Sequence, residues 1–382
     1  SVTYAKGFSM ENDAMTEQEL EKALRTAAEA DVAVIFAGLP EIFESEGYDR
    51  TSMKLPKCQD RLIEEVLKVQ PNVVVVLHNG SPVELPWADR VSAILEMYLG
   101  GQGVGEACDW LLFGEANPSG RLAETFPYRL EDNPSFLHFP GNEKRVLYGE
   151  DIFVGYRYYD TKKVPVRYAF GHGLSYTEFT YGDLTLSSAQ MTDEDILTVS
   201  LKVKNSGKTE GKEVVQLYVA DLCGTPERPV KELKGFAKVH LLPGEEKTVS
   251  MEISARDLSY YEERLGDWYA PSGTYRILIG HASDDIRLHA DIVFKTKKKL
   301  PLRVDFTTTF GELLDHTKTA PVITELLAPL AAAAASAEGM SDEYKKLGEQ
   351  VIREMPMKSL LGQMPGEQVE QLIGQLNCLL AQ

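Results

Sequence analysis

The strongest constraint on the fold is a run of five consecutive apolar residues, Val73-Val74-Val75-Val76-Leu77. Its length suits one β-strand, and its lack of polar alternation is typical of a parallel strand covered on both faces. A second apolar run, at residues 31–39, follows a stretch of helical spacing at residues 16–30 and predicts a buried strand. A third strand is predicted at residues 92–99. Strands that alternate with helices predict a layered α/β domain.

The periodicity then changes, which predicts further domains. Residues 117–182 are rich in Pro, Gly and Tyr and read as an extended crossing segment. Short alternating strands separated by turn signals such as Asn205-Ser206-Gly207 are typical of an immunoglobulin-like β-sandwich. Residues 305–382 have apolar side chains at helical spacing. We therefore predict an α/β domain at 1–135, a linker at 136–182, a β-sandwich at 183–297 and a helical extension at 298–382.

Composition excludes several classes of function. A net charge of −18 over 382 residues argues against nucleic acid, because phosphate contacts need clustered Lys and Arg. No apolar stretch approaches the roughly 20 residues that cross a bilayer. The four cysteines and seven histidines show no metal-ligand spacing, so neither a metal nor a cofactor is predicted. Widely spaced thiols favour a reducing, cytoplasmic compartment. The chain begins at Ser1, which suggests a fragment.

A charged cluster, Glu44-Ser45-Glu46-Gly47-Tyr48-Asp49-Arg50, follows the first predicted strand. Carboxylates beyond the carboxyl end of a strand in an open α/β sheet are candidates for proton transfer. Residues two apart in an extended loop point the same way, so spacing does not choose between Glu44 and Glu46. Composition alone favours a simpler interpretation, a solvated loop with a local Asp49–Arg50 ion pair.

Other features have simpler structural explanations. The segment Gly101-Gln102-Gly103-Val104-Gly105 lies between a strand and a helix, but its third glycine comes one residue too early for a dinucleotide fingerprint. It predicts a tight turn. We expect His78 to be a structural histidine and His172 a turn residue. Three tryptophans are predicted to lie in cores rather than to bind sugars: Trp87, Trp110 and Trp268.

Seven motifs occur in order within residues 1–297. They are Glu44–Arg50 as above, Asn79-Gly80-Ser81-Pro82-Val83-Glu84, Gly100-Gly101-Gln102-Gly103-Val104-Gly105-Glu106-Ala107, Asn117-Pro118-Ser119-Gly120-Arg121-Leu122, Thr125-Phe126-Pro127, Val154-Gly155-Tyr156-Arg157-Tyr158-Tyr159-Asp160 and Phe170-Gly171-His172-Gly173-Leu174-Ser175-Tyr176-Thr177. This series resembles the carboxyl-terminal half of glycoside hydrolase family 3, in particular its β-glucosidases. The helical tail resembles extensions on some bacterial members.

The resemblance implies part of a retaining, exo-acting β-glucosidase that hydrolyses terminal β-D-glucosyl residues of a β-glucoside or oligosaccharide. In that family an amino-terminal (β/α)8 barrel supplies the nucleophilic aspartate and most sugar contacts, and no segment here matches it. The β-sandwich would be fibronectin type III-like, and the α/β sandwich would lack its first strands. The isolated chain would then be an inactive, truncated piece.

The resemblance also implies residue roles. The Glu46-Gly47 pair matches the family, so Glu46 is the expected acid/base, with Glu44 as its rival. Gly47 would let the loop bend, and Asp49 and Arg50 would hold the loop in place. Glu44 could instead bind Arg50 or place a second charge near the site. Tyr48 is a candidate for stacking on a sugar.

Alternatives to this interpretation remain open. The chain could be a non-catalytic structural or interaction piece, since it carries at most one of two required carboxylates. Its parent could have β-xylosidase-type specificity. A carbohydrate-binding module at residues 183–297 is disfavoured, because that region lacks an obvious row of exposed aromatic residues. Apolar surface left exposed where a barrel would dock predicts self-association, and so a possible homo-oligomer.

Overall fold

The computed structural model describes residues 1–142, 144–225, 227–335 and 341–381. The chain divides into two compact units, Ser1–Ser259 with Ala270–Lys297, and Tyr260–Tyr269 with Lys298–Gln382. An α/β region, a β-sandwich and a helical tail follow one another, which confirms the predicted fold class. The predicted domain bounds at 135, 182 and 297 stay predictions. Over the described ranges, no helix is long and apolar enough to cross a membrane.

The α/β region is built on three parallel strands in the order β1-β2-β3. Thr16 begins the first helix with a capping box, in which its hydroxyl accepts from Glu19 N–H and its own N–H donates to the Glu19 carboxylate. The strands and helices are β1 (Ala33–Gly38), β2 (Val73–His78), β3 (Ala93–Glu96), α1 (Glu17–Ala28), α2 (Lys57–Val66) and α3 (Val104–Phe113).

One face of this sheet packs against α1 and α2. Alternate residues of β2 are fully buried there, because side chains along a strand point to opposite faces. Burying each such aliphatic side chain contributes about 1.5–3 kcal/mol. The core on this face combines strand and helix residues: Ile35, Ala37, Val73, Val75, Leu77, Leu20, Ala23, Leu62, Ile63 and Val66.

The other face of β1 corrects the sequence interpretation. We predicted a buried strand, but Val34 is 40% and Phe36 52% exposed. The strand's period of two sends these side chains away from α1 and α2, and β1 lies at the edge of the sheet. Val76 lies on this same face of the sheet but belongs to the central strand β2, and it is fully buried. The prediction of a covered strand is therefore right for β2 only.

The described residues between 117 and 178 contain little regular structure, and that they form a crossing segment stays a prediction. They contain one two-stranded antiparallel pair, β4 (Phe126–Pro127) with β5 (Val166–Tyr168), and a short helix, α4 (Tyr156–Lys162). Arg167 anchors this segment to the α/β region through a two-pronged ion pair with Asp89, at 2.9 and 2.6 Å.

The β-sandwich consists of a five-stranded sheet, β10-β9-β14-β15-β7, and a three-stranded sheet, β11-β8-β6. Its core is formed by inward-facing aliphatic and aromatic residues of both sheets. The elements of this part of the chain are β6 (Phe179–Leu186), β7 (Gln190–Thr192), β8 (Ile196–Asn205), β9 (Gly211–Asp221), β10 (Glu232–Leu241), β11 (Glu246–Ser254), α5 (Ala255–Leu258), β12 (Tyr260–Glu262), β13 (Asp267–Tyr269), β14 (Gly273–Ala282) and β15 (Asp285–Lys295).

A buried charged cluster joins the crossing segment to the β-sandwich. The carboxylate of Glu213 on β9 is fully buried and bonded to three side chains. Arg121 Nη2 lies 2.7 Å from Glu213 Oε2, and Tyr181 Oη and His281 Nδ1 lie 2.6 and 2.5 Å from Oε1. His281 Nε2 is 2.9 Å from the Gly173 carbonyl. We call these four side chains the Glu213 cluster.

Over its described residues, the second unit has helices as its regular structure apart from the β12–β13 hairpin. Val369 and Leu376 of the predicted helical spacing are buried in its core, together with Phe310, Leu313 and Leu360. Its helices are α6 (Phe310–Asp315), α7 (Ala320–Ala335), α8 (Asp342–Glu354) and α9 (Gly366–Ala381).

The tryptophans fall into two groups. Trp87 is fully buried as predicted, and its indole N–H donates to Asp60 over 2.9 Å. The predictions for Trp110 and Trp268 are wrong, since they are 44% and 38% exposed. Trp110 lies on α3, where only Cys108 is buried. Trp268 lies on the two-stranded hairpin, with its ring edge-on to Tyr261.

Candidate active site

The acidic loop leaves the sheet at the carboxyl end of β1, where Gly38 passes close to β2. A Cβ at this position would lie 2.0 Å from the His78 carbonyl oxygen, so only glycine fits. The buried amide of Gln59 on α2 accepts from Gly38 N–H and donates to Gly38 C=O, both over 2.8 Å. The point of departure of the loop is therefore fixed by a helix as well as by the sheet.

Glu44 is tied to the turn that follows β2. Its Oε2 accepts from the backbone N–H of Gly80 over 2.5 Å, and its Oε1 accepts from the hydroxyl of Ser81. A side chain at position 80 would crowd the carboxylate, because a Cβ there would lie 3.1 Å from Glu44 Oε2. The Glu44 carboxylate is thus engaged by groups 36 and 37 residues away.

Arg50 holds the other end of the loop to the same turn. Its Nη1 lies 2.5 Å from Ser81 Oγ, 3.2 Å from the Pro82 carbonyl and 3.5 Å from Glu44 Oε1. Arg50 therefore pairs with Glu44 rather than with its neighbour Asp49, and the local Asp49–Arg50 ion pair is not formed. Burial lowers the pKa of Arg50, and the charges of Glu44 and Glu124 oppose this shift.

Glu46 lies between these two anchors and is exposed. Among the described residues its carboxylate has no hydrogen-bond or ion-pair partner. Gly47 follows with φ +92°, a conformation that favours glycine, and no atom lies near the place a Cβ would take. The chain can turn sharply here, which presents the Glu46 carboxyl to solvent at the tip of the loop.

Tyr48 and Asp49 complete the loop. The Tyr48 hydroxyl donates to the carbonyl of Glu41, while half of the residue stays exposed. The hydroxyl is therefore used within the loop, and the ring remains accessible. Asp49 is exposed, and its carboxylate makes no hydrogen bond or ion pair with the described residues.

Two further carboxyl groups lie beneath the loop, and the sequence interpretation assigned neither to the site. Burial, together with the charges of Glu124 and Glu44, raises the pKa of Glu96 from 4.5 to about 7, although hydrogen bonds from Tyr98 and Asn79 oppose the shift. Glu96 accepts from Tyr98 N–H over 2.8 Å and from the Asn79 amide over 3.2 Å. Burial also raises the pKa of Glu124. Glu96 ends β3, and the shared edge of parallel strand ends was the signal that could have found it.

A cavity of about 400 Å³ opens beside Glu124 and Arg50. Arg50, Ser81 and Glu124 line it on one side, and residues of the crossing segment such as Asn133 and Glu150 line it on the other. Glu46 is not among the lining residues. The carboxylate at the loop tip is instead exposed to solvent.

The other features named in the sequence analysis are two histidines and a glycine segment, and each has a structural explanation. The His78 ring is stacked on Phe36, with ring centroids 6.3 Å apart. His172 is stacked on Tyr168, and its carbonyl accepts from Leu122 N–H. Burial lowers the pKa of both histidines. The glycine segment forms a single 3-10 turn, Gly101–Gly103, that leads into α3.

Comparison with known proteins places this geometry in a family. Residues 2–176 match the glycosyl hydrolase family 3 C-terminal domain, and residues 213–283 match a fibronectin type III-like domain. The chain belongs to glycoside hydrolase family 3. Both matches agree with the resemblance inferred from the seven motifs.

Named relatives and solved structures support this assignment. Thermostable beta-glucosidase B of Acetivibrio thermocellus is 46% identical over 381 residues, which is 99% of this chain and 50% of that protein. A beta-glucosidase of Kluyveromyces marxianus is 46% identical over 74% of the chain and 33% of its own length. The crystal structure of a Bifidobacterium adolescentis GH3 beta-glucosidase has a TM-score of 0.78 at 38% identity, covering 85% of this chain and 48% of that one.

This family 3 chain therefore spans half or less of the curated relatives it matches. It carries the family's carboxyl-terminal and fibronectin type III-like domains. Among the described residues there is no (β/α)8 barrel, since the parallel sheet has three strands. The helical tail is included in the Acetivibrio match, which extends over 381 residues.

Proposed function

We propose that this chain forms part of a retaining, exo-acting β-glucosidase, in which Glu46 is the acid/base and the nucleophilic aspartate lies in a barrel domain outside the chain. The observation that carries the proposal is the contrast between the two candidate carboxylates. Glu44 is fully engaged by the Gly80–Ser81 turn, whereas Glu46 is exposed at the loop tip without a partner among the described residues.

The proposed reaction has two steps. In the first, the Glu46 carboxylic acid gives its proton to the glycosidic oxygen as the bond from that oxygen to the anomeric carbon breaks. The aspartate bonds to the anomeric carbon in its place. In the second, the Glu46 carboxylate takes a proton from water, whose oxygen displaces the aspartate and releases glucose. Two such carboxyl groups lie about 5–5.5 Å apart in retaining enzymes.

The proposed substrate class is terminal, non-reducing β-D-glucosyl groups of β-glucosides or oligosaccharides. It is supported by the names of the relatives, which are beta-glucosidases in both sequence and structure comparisons. Because the chain would supply one of two essential carboxylates, we expect the isolated chain to be inactive. A barrel domain is thus its proposed partner.

The test uses an assembled enzyme, in which this chain replaces its counterpart in the Acetivibrio thermocellus relative. Glu46→Ala should lower kcat/KM about 10²- to 10⁴-fold on an alkyl β-glucoside, whose leaving group needs protonation. The loss on dinitrophenyl β-glucoside should be far smaller, because that phenolate leaves without a proton.

Glu41→Gln is the matched control, since Glu41 is an exposed carboxylate in the same loop. It should leave both rates unchanged. Equal losses on the two substrates for Glu46→Ala would contradict the acid/base role. An assembled enzyme that is inactive with all residues unchanged would contradict the proposed function as a whole.

A further inference from the structure

We propose that Glu44 is a positioning residue, which acts with Arg50 and Ser81 to set where the Glu46 carboxyl is presented. This inference rests on the proposed function of Glu46. The three side chains form one hydrogen-bonded group, which we call the loop clamp. Glu44 itself would not touch the substrate.

The first argument is the closure of the loop. Glu44 and Arg50 stand six positions apart, and both bind Ser81, which lies in the turn after β2. The stretch from 44 to 50 is therefore fixed at both ends to one residue in the turn after β2. Glu46 and Gly47 lie in the part between, where the backbone reverses. Small changes in the clamp would be transmitted directly to the acid.

The second argument is the charge of the clamp. Arg50 Nη1 has a single anionic acceptor within it, Glu44, besides the Ser81 hydroxyl and the Pro82 carbonyl. The guanidinium is largely shielded from water, so it depends on these acceptors. Replacing Glu44 by glutamine keeps the size of the side chain but removes its charge, which should loosen the attachment of Arg50 and widen the range of positions that Glu46 occupies.

The third argument is the fit of the turn. Gly80 brings its N–H to 2.5 Å from Glu44 Oε2, and a Cβ there would stand 3.1 Å from the same oxygen. The turn thus provides a hydrogen-bond donor, the Gly80 N–H, and enough space for the Glu44 carboxylate beside it. Both oxygens of the Glu44 carboxylate are occupied by donors of this turn, which suits a positioning role.

The experiment compares Glu44→Gln, Ser81→Ala and the double variant with Glu46→Gln in the assembled enzyme. We expect each single clamp variant to lower kcat about 10- to 100-fold on alkyl β-glucoside, as for a misplaced catalytic group, with little change in KM. Dinitrophenyl β-glucoside should be cleaved nearly normally in the first step. The double variant should lose little more than either single variant, because both break the same clamp.

Azide separates the roles, since this anion attacks a glycosyl-enzyme without a general base. On dinitrophenyl β-glucoside it should strongly accelerate Glu46→Gln, with glucosyl azide as product, and only weakly accelerate Glu44→Gln. Clamp variants that behave like Glu41→Gln would overturn the positioning role while leaving the Glu46 assignment intact. Full azide rescue of Glu44→Gln beside a normal Glu46→Gln would instead overturn both, and would make Glu44 the acid/base.

Discussion

The Glu213 cluster and the acidic loop are both groups of charged residues in the first unit, yet they are built in opposite ways. Glu213 is fully buried, and three side chains bond its two oxygens. Glu46 is exposed and has no partner among the described residues. Glu44, with its backbone donor, hydroxyl and guanidinium, lies between these extremes.

The difference follows from the free energy of desolvation. A buried carboxylate is tolerated only when hydrogen bonds and opposite charges replace its water, so removing one member of the Glu213 cluster should destabilise the β-sandwich. An exposed carboxylate contributes little to folding and remains free to exchange protons. Completeness of bonding therefore separates a structural acid from a candidate catalytic one.

The largest expected effect comes from removing each carboxylate in turn and comparing the loss of stability. Glu213→Ala should lower the free energy of unfolding by about 3–5 kcal/mol, because it leaves Arg121 buried without its anion. Glu46→Ala should change it by less than about 0.5 kcal/mol. Urea unfolding of the chain followed by circular dichroism measures both. Glu252→Ala, an exposed carboxylate on β11, is the control. Similar losses for Glu213→Ala and Glu46→Ala would refute the contrast.

A smaller effect comes from the pH dependence of stability, which should differ between the buried Glu213 and the half-buried Glu96. Burial alone would raise the pKa of Glu213, but hydrogen bonds from His281 and Tyr181 and the charge of Arg121 hold it below its usual value. Its contribution is therefore present at neutral pH and is lost as pH falls through this lowered pKa. Glu96 behaves in the opposite way. Its pKa rises from 4.5 to about 7, so stability falls as pH rises through that range.

Glu96→Gln should remove the second response. Relative to the unchanged chain, the variant should gain about 3 kcal/mol of unfolding free energy between pH 4 and pH 8, which is the linkage expected when a pKa of 4.5 becomes about 7. Denaturation curves across this pH range measure the gain. A difference that stays constant with pH would show that Glu96 is not held protonated by its surroundings.

The smallest effect concerns Asp49. Because its carboxylate is exposed and makes no bond with the described residues, Asp49→Asn should alter the free energy of unfolding by less than about 0.5 kcal/mol. A loss above 1 kcal/mol in the same urea experiment would restore the loop-holding role that the sequence suggested. Arg50→Gln, which breaks the clamp, provides the positive comparison.

Much of the fold could be predicted from periodicity. The apolar run at β2, the helical spacing at residues 16–30 and the alternating strands of the sandwich are local patterns, and each formed the expected element. The exposed face of β1 could not be predicted in this way. Whether the second face of a strand is covered depends on which helices pack there, and the apolar residues of β1 look alike on both faces.

The candidate active site was also only partly predictable from local sequence patterns. The acidic loop and its glycine were found from the sequence, but spacing could not choose between Glu44 and Glu46. The distinction that we propose rests on Gly80 and Ser81, which are 36 and 37 residues from Glu44. Glu96 was missed because a carboxyl at a strand end becomes part of a site only through its neighbours on other strands.

The Gln59 side chain has a consequence for how the loop can vary. Its amide occupies both hydrogen-bonding groups of Gly38, as the backbone of an adjacent strand would. No further strand can therefore pair with β1 at Gly38 on that edge, while the opposite edge stays paired with β2 as far as Leu39. Insertions or deletions after Leu39 would then alter the reach of the acid without shifting the register of the sheet.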